Sequence, residues 1–146
     1  MTNHRLETDA EIDALLARTR RIAVLGIKTE AQRDQPAYSV PQYLVGAGFE
    51  VIPVPVYYPE ATTILGRPVY RSLVSIPGDL DLVDVFRRPG DVPQHVDDIL
   101  AKRPHAVWMQ LGIRNDAVAD RLATEGIDVV QDRCLLVEHR RWLSRR

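Results

Sequence analysis

Residues 20–26, Arg20-Arg21-Ile22-Ala23-Val24-Leu25-Gly26, decide the fold. Two arginines lead into four apolar residues closed by a glycine, with no polar alternation between them. A strand buried on both faces reads this way, and such strands belong to parallel sheets covered by helices. The closing glycine allows the chain to turn tightly away from the strand end. Upstream, Thr8 and Asp9 are N-cap candidates ahead of Ile12, Leu15 and Leu16, which are spaced as one helical face. Downstream, a polar loop from Lys28 to Pro36 precedes a helical pattern over residues 38–47, closed by Gly48. Pro41 is expected in the first turn of that helix, where its missing N–H costs little.

The same reading repeats along the chain. Further strands are expected at 49–54, 82–86, 106–110 and 127–130, with helices at 93–102, from Asn115 or Asp116 to Thr124, and at 135–143. Residues 57–79 hold most of the turn signals. Trp108 and Met109 lie inside a strand and belong to the core. Strands alternating with helices at this spacing imply right-handed βαβ units. The expected fold is therefore α/β, a three-layer Rossmann-like domain over residues 1–146 with a five-stranded parallel sheet of order 3-2-1-4-5. Ligands of such sheets bind outside the carboxyl ends of the strands, where the strand order reverses. Five segments are expected to meet there: 26–39, 53–58, 86–89, 110–112 and 132–134.

Bulk composition narrows the function. The chain has 146 residues, 45% hydrophobic and 27% charged, with net charge −1. A domain of this length buries roughly 68–70% of its unfolded surface, enough to fold without disulfides or a metal. The near-neutral balance gives no case for nucleic acid or a membrane surface. Of 19 basic residues only Lys28 and Lys102 are lysines. The one cysteine, Cys134, excludes an internal disulfide and a multi-cysteine zinc site. The charged N-terminal stretch lacks the apolar core of a signal peptide, and no apolar run approaches the ~18 residues of a membrane span. A cytoplasmic protein is the expectation.

The segments at the strand ends carry the candidate site. Gly26-Ile27-Lys28-Thr29 is not the G-x-G-x-x-G of dinucleotide enzymes. Lys28 and Arg33 are in this loop, Ser39 offers a hydroxyl, and the following helix N-terminus is a ready anion site. The second strand ends in Val54-Pro55 without the acid that an NAD enzyme presents to a ribose. Phe86-Arg87-Arg88-Pro89 ends the third strand, and paired arginines suit phosphates, although they could equally answer Asp84 or Asp91. Gln110 and Gly112 end the fourth strand, where an amide and a close backbone approach suit a ligand. Cys134 follows the fifth, beside Arg133. A lone cysteine is usually a small buried hydrophobe, but this position leaves a thiol-contacting role open. His4, His95, His105 and His139 lie in unrelated segments, without metal-ligand spacing and away from the expected strand ends. No catalytic pair and no metal site are expected.

These motifs in order resemble the small standalone CoA-binding domain proteins, similar to the N-terminal CoA-binding domain of the succinyl-CoA synthetase alpha subunit. The likeness rests on residues 22–26, Tyr38, Val40, Tyr43-Leu44, 51–54, 64–66, 69–73, 84–89, 107–112 and Asp132-Arg133-Cys134. It implies coenzyme A as ligand, with Gly26 to Thr29 near the phosphates, Pro55 against the adenosine, Phe86 to Pro89 and Gln110 to Gly112 lining the rest, and the pantetheine arm running towards Cys134. Two departures stand out. Lys28 replaces a small residue, commonly serine, and Pro55 replaces an asparagine. The ligases containing this domain keep their phosphohistidine and nucleotide-grasp machinery in further domains. The likeness therefore implies a non-catalytic carrier, sensor or regulatory protein of CoA or acyl-CoA, its protein partner unknown. Two alternatives are an NAD(P)-binding protein and a Cys134-dependent acyl-CoA enzyme acting with a partner.

Overall fold

Strand β1 (Arg21–Leu25) sits inside a parallel sheet with a partner on each side, as its unbroken apolar run requires. The computed structural model describes residues 3–146. Around β1 run helix α1 (Asp9–Ala17), a 3₁₀ turn (Glu30–Gln32), α2 (Pro36–Gly46), β2 (Glu50–Val54) and the short strands β3 (Thr63–Ile64) and β4 (Arg67–Pro68). Next come β5 (Leu82–Val85), a 3₁₀ stretch (Pro89–His95), α3 (Val96–Lys102), β6 (Ala106–Met109), α4 (Asp116–Thr124), β7 (Asp128–Val130) and α5 (Leu135–Arg145). Strand alternation divides the core. Ile22, Val24, Leu82 and Trp108 face α1, α2 and α5, whereas Ala23, Leu25, Val83 and Met109 face α3, α4 and the 70–80 segment. Trp108 and Met109 are fully buried, as the sequence implies.

The three-layer α/β class holds, but the strand order does not. The five parallel strands run β2-β1-β5-β6-β7, which in the numbering of the sequence reading is 2-1-3-4-5 rather than 3-2-1-4-5. The third predicted strand lies against β1, with Leu25 opposite Val85. Two contacts enforce this. Tyr70 N–H donates to the Pro53 carbonyl (2.9 Å), so the chain after the β3–β4 hairpin already takes the outer side of β2. The Asp81 carboxylate then accepts the Arg20 and Arg21 N–H groups (2.9 and 2.8 Å), fixing the start of β5 beside β1.

Local signals hold where the partner is local. Thr8 caps α1 in a reciprocal box with Glu11, and Asn115 caps α4 by accepting from Val118 N–H (3.1 Å). Pro41 is a correction: α2 begins at Pro36, so Pro41 lies in its second turn. Lacking an N–H, it leaves the Ala37 carbonyl free, and that carbonyl accepts Lys28 N–H instead (3.1 Å). The helix expected at 93–102 starts as the 3₁₀ stretch and becomes α-helical only at Val96. At the far edge the N-terminal segment covers β7: Leu6 N–H donates to the Val129 carbonyl (2.9 Å) and Val129 N–H to that of His4 (2.7 Å). No helix among the described residues is long and apolar enough to cross a membrane.

Asp84 is the exception to the apolar core. It lies between Val24 of β1 and Trp108 of β6, fully buried, and neither carboxylate oxygen has a hydrogen-bond partner. Burial pushes its pKa well above the usual carboxylate range. Neither Arg87 nor Arg88 answers it; their carboxylate is Asp91, at 3.9 and 3.4 Å.

Candidate functional site

The parallel strands end in one row. Gly26 N–H donates to the Val54 carbonyl (2.9 Å), Phe86 N–H to Leu25 (2.8 Å), Gln110 N–H to Val85 (3.3 Å) and Arg133 N–H to Met109 (3.4 Å). The five predicted segments therefore meet at one edge of the sheet. With the observed strand order, the reversal falls between β1 and β5, which places Gly26 and Phe86 at its centre. Gly26 has φ +88°, and a Cβ there would stand 2.2 Å from the Phe86 carbonyl oxygen. Only glycine lets these two strand ends approach so closely.

The first loop is more occupied than its sequence suggests. The Ile27 side chain is buried in the core, and Lys28 Nζ donates to Gln35 Oε1. Thr29 caps the 3₁₀ turn, donating its hydroxyl to Gln32 Oε1 (2.9 Å). Arg33 is exposed and bonded only to the Glu30 carbonyl, and Ser39 lies half-buried in the first turn of α2. The Glu30 carboxylate accepts from Tyr38 OH (3.1 Å) and Leu65 N–H (2.9 Å), tying this loop to the β3–β4 hairpin. Pro36 at the first helical position removes one N–H from the expected anion site at α2.

At the second and third strand ends, Val54 and Pro55 are buried, and the two arginines divide. Arg87, its side chain 8% exposed, donates from Nε to His95 Nε2 (3.1 Å) and from Nη1 to Tyr57 OH (3.3 Å). Arg88 is 86% exposed and faces solvent beside Asp91. The hydrogen bond from Arg87 lowers the pKa of the Tyr57 phenol, while burial, followed by the Arg87 charge, lowers that of His95. Because His95 accepts at Nε2, its ring is neutral with the proton on Nδ1. Sequence spacing carries no sign of this cluster: the 3₁₀ stretch returns His95 to a strand end eight residues away. The exposed Pro89 carbonyl accepts Asn115 Nδ2 (3.2 Å).

The fourth and fifth strand ends are clasped together. Gly112 N–H donates to Asp132 Oδ1 (2.6 Å), and buried Gln110 accepts the Leu135 N–H at the start of α5 through Oε1 (3.1 Å). Gly112 has φ +84° and open space where a Cβ would stand, beside Leu111, which is 70% exposed. Cys134, half-buried, is the N-cap of α5. It opens on a cavity of about 600 Å³ whose walls include Leu111, Val137, Arg133 and Glu138, together with Arg5 and Glu7 from the N-terminal segment. Glu138 accepts Arg133 and Arg141 at Oε1 (3.1 and 3.2 Å), whereas its buried Oε2 has no partner. Glu138 and Arg5 line this cavity and are missed by the sequence reading, which names Leu111 only within the Gln110 to Gly112 turn. Leu111 is visible beside Gly112, but Arg5 reaches the cavity only through strand pairing. No group of three or more His, Cys, Asp or Glu positioned for a metal occurs among the described residues.

Known proteins resemble this chain in sequence and in fold. Uncharacterized protein YneT of Bacillus subtilis (strain 168) is 35% identical over 130 residues, covering 89% of this chain and 93% of the relative. A solved Thermus thermophilus structure, cell-free ID.343, is 38% identical with TM-score 0.84, covering 93% of this chain and 99% of that one. A hypothetical protein from Pyrococcus horikoshii OT3 is 32% identical with TM-score 0.84, covering 98% and 99%. The family model described as CoA binding domain matches residues 20–140, a span that runs from the strand deciding the fold to the helix behind Cys134. By that match the chain belongs to the CoA binding domain family.

Proposed function

We propose that the crevice binds coenzyme A, free or acylated, and that the chain acts as a non-catalytic carrier, sensor or regulatory protein. The observation that carries this reading is the row of strand ends, centred on Gly26 and Phe86, that continues past Gln110 and Gly112 into the cavity at Cys134. The residues present fit such a ligand. Arg33 and Arg88 are exposed cations able to hold phosphates, with Lys28 in the same loop. Tyr57 presents an exposed ring at the second strand end, held by Arg87, and would take the adenine. Leu111 and Gly112 would border the pantetheine arm. Bound there, coenzyme A supplies a thiol or thioester. The free thiol of Cys134 suits the cytoplasmic placement, which belongs to this proposal.

One observation favours a second reading. Cys134 and the buried, half-satisfied Glu138 stand one helical turn apart in the same cavity, where a carboxylate could serve a thiol in acyl transfer. The experiment for the first reading is a thermal melt with CoA and with NAD. A ligand bound at ~100 Kd adds about 2.7 kcal/mol, which for this size raises Tm by roughly 5–10 °C. CoA should produce the shift and NAD should not; the reverse result rejects the proposal.

A further inference from the structure

A second cavity, of about 1010 Å³, lies at the opposite end of the sheet from the strand-end crevice, where α1 and α2 finish before β1 and β2 begin. Its walls are aromatic and apolar: Tyr43, Phe49, His139 and Trp142, with Leu16 and Leu143. The His139 ring centre lies 5.1–5.7 Å from the other three rings, so the four form one cluster. The size is at the upper end of small-molecule sites, which combine apolar walls with a few polar groups.

The charged side chains that line it share one sign. No acidic residue lines the cavity, but Arg20 and Arg146 do. Arg140 stands 5.2 Å over the Tyr43 ring and Arg146 4.9 Å over Trp142. None of the three guanidinium groups has a carboxylate within 4.0 Å among the described residues, in a chain whose other arginine side chains mostly do. His139 adds an independent sign. It is only 4% exposed, and its Nδ1 pairs with Tyr43 OH at 2.7 Å. Its Nε2 has no hydrogen-bond partner among the described residues, and the ring lines the cavity. Burial and the Arg146 charge keep the ring neutral at pH 7. A phenol that donates to Nδ1 leaves the ring proton on Nε2, as a donor for whatever enters.

We propose that this cavity is a binding site for a small carboxylic acid with a flat aromatic body. The ring would stack in the Tyr43–Phe49–Trp142 cluster, and the carboxylate would meet Arg20, Arg146 and the His139 Nε2–H. The inference does not depend on the ligand of the crevice. Helix α5 links the two, with Cys134 at its start and His139, Trp142 and Leu143 further along.

The test titrates 2-naphthoate, and separately the uncharged 2-naphthalenemethanol, into the protein while ring and indole signals are followed by NMR. Trp108, buried in the sheet with its indole N–H on the Arg133 carbonyl, is the internal control. Naphthoate should shift the Trp142 and His139 signals saturably, at least tenfold tighter than the alcohol, and leave Trp108 unmoved. The double variant Arg20→Ala, Arg146→Ala changes two exposed residues and should erase the tenfold preference. Equal affinity for both probes, or a preference that survives the double variant, overturns the proposal. So do Trp142 signals that move with protein concentration and ignore naphthoate, which would assign the cavity to a second copy of the chain.

Discussion

Replacing Asp84 by asparagine should stabilise the protein at neutral pH and remove one pH dependence from its folding. The native carboxyl is fully buried, has no hydrogen-bond partner on either oxygen and no cation beside it, so burial holds its pKa well above the usual carboxylate range. In the unfolded chain it ionises near ~3.9. A native value above the unfolded one means its contribution is complete below ~3.9 and is lost as pH rises towards the native value. Between the unfolded and the native value the slope is about 1.4 kcal/mol per pH unit for one proton, lost by the wild type through Asp84. The asparagine variant cannot ionise at this position, and subtracting the two proteins cancels every other titrating group. In urea, with a slope of ~2 kcal/mol per M, the midpoint difference between variant and wild type should grow by about 0.7 M per pH unit. Equilibrium unfolding at pH 5, 6 and 7 measures it. A difference that stays constant with pH means the carboxylate is ionised in the native state, with water reaching it, and refutes the reasoning.

Three further outcomes follow from the crevice. Gly26→Ala places a Cβ 2.2 Å from the Phe86 carbonyl at positive φ, so calorimetry should show a loss of roughly 2–4 kcal/mol, lowering Tm by about 6–13 °C. Arg88→Ala should weaken CoA roughly tenfold in calorimetric titration while pantetheine binding is unchanged; equal losses would assign Arg88 to structure. Mild oxidation with CoA should add one CoA to the protein mass, reversibly with reductant, and Cys134→Ser should abolish the adduct while changing affinity by less than about 1 kcal/mol. A covalent acyl-protein formed from acyl-CoA and absent in the serine variant would favour the enzyme reading.

The sequence by itself determined the parts made by near neighbours. The run 22–26 reads as a buried parallel strand, Thr8 and Asn115 were legible caps because their partners lie three residues on, and the glycines at 26 and 112 marked strand ends. From these came the α/β class and the edge of the sheet where the segments meet. Tertiary structure decided what depends on distant partners. The order of β5 against β1 rests on Asp81 meeting Arg20 and Arg21 some sixty residues away, and an apolar strand reads the same wherever it lies in the sheet. Arg87 and Arg88 are identical side chains in adjacent positions, yet His95 and Tyr57 claim one and leave the other to solvent. Cys134 gained its cavity from Arg5 and Glu7, drawn across by pairing with Val129 at the opposite end of the chain. Periodicity records which face of an element is buried, but it carries no information about which element, or which charge, comes to lie against that face.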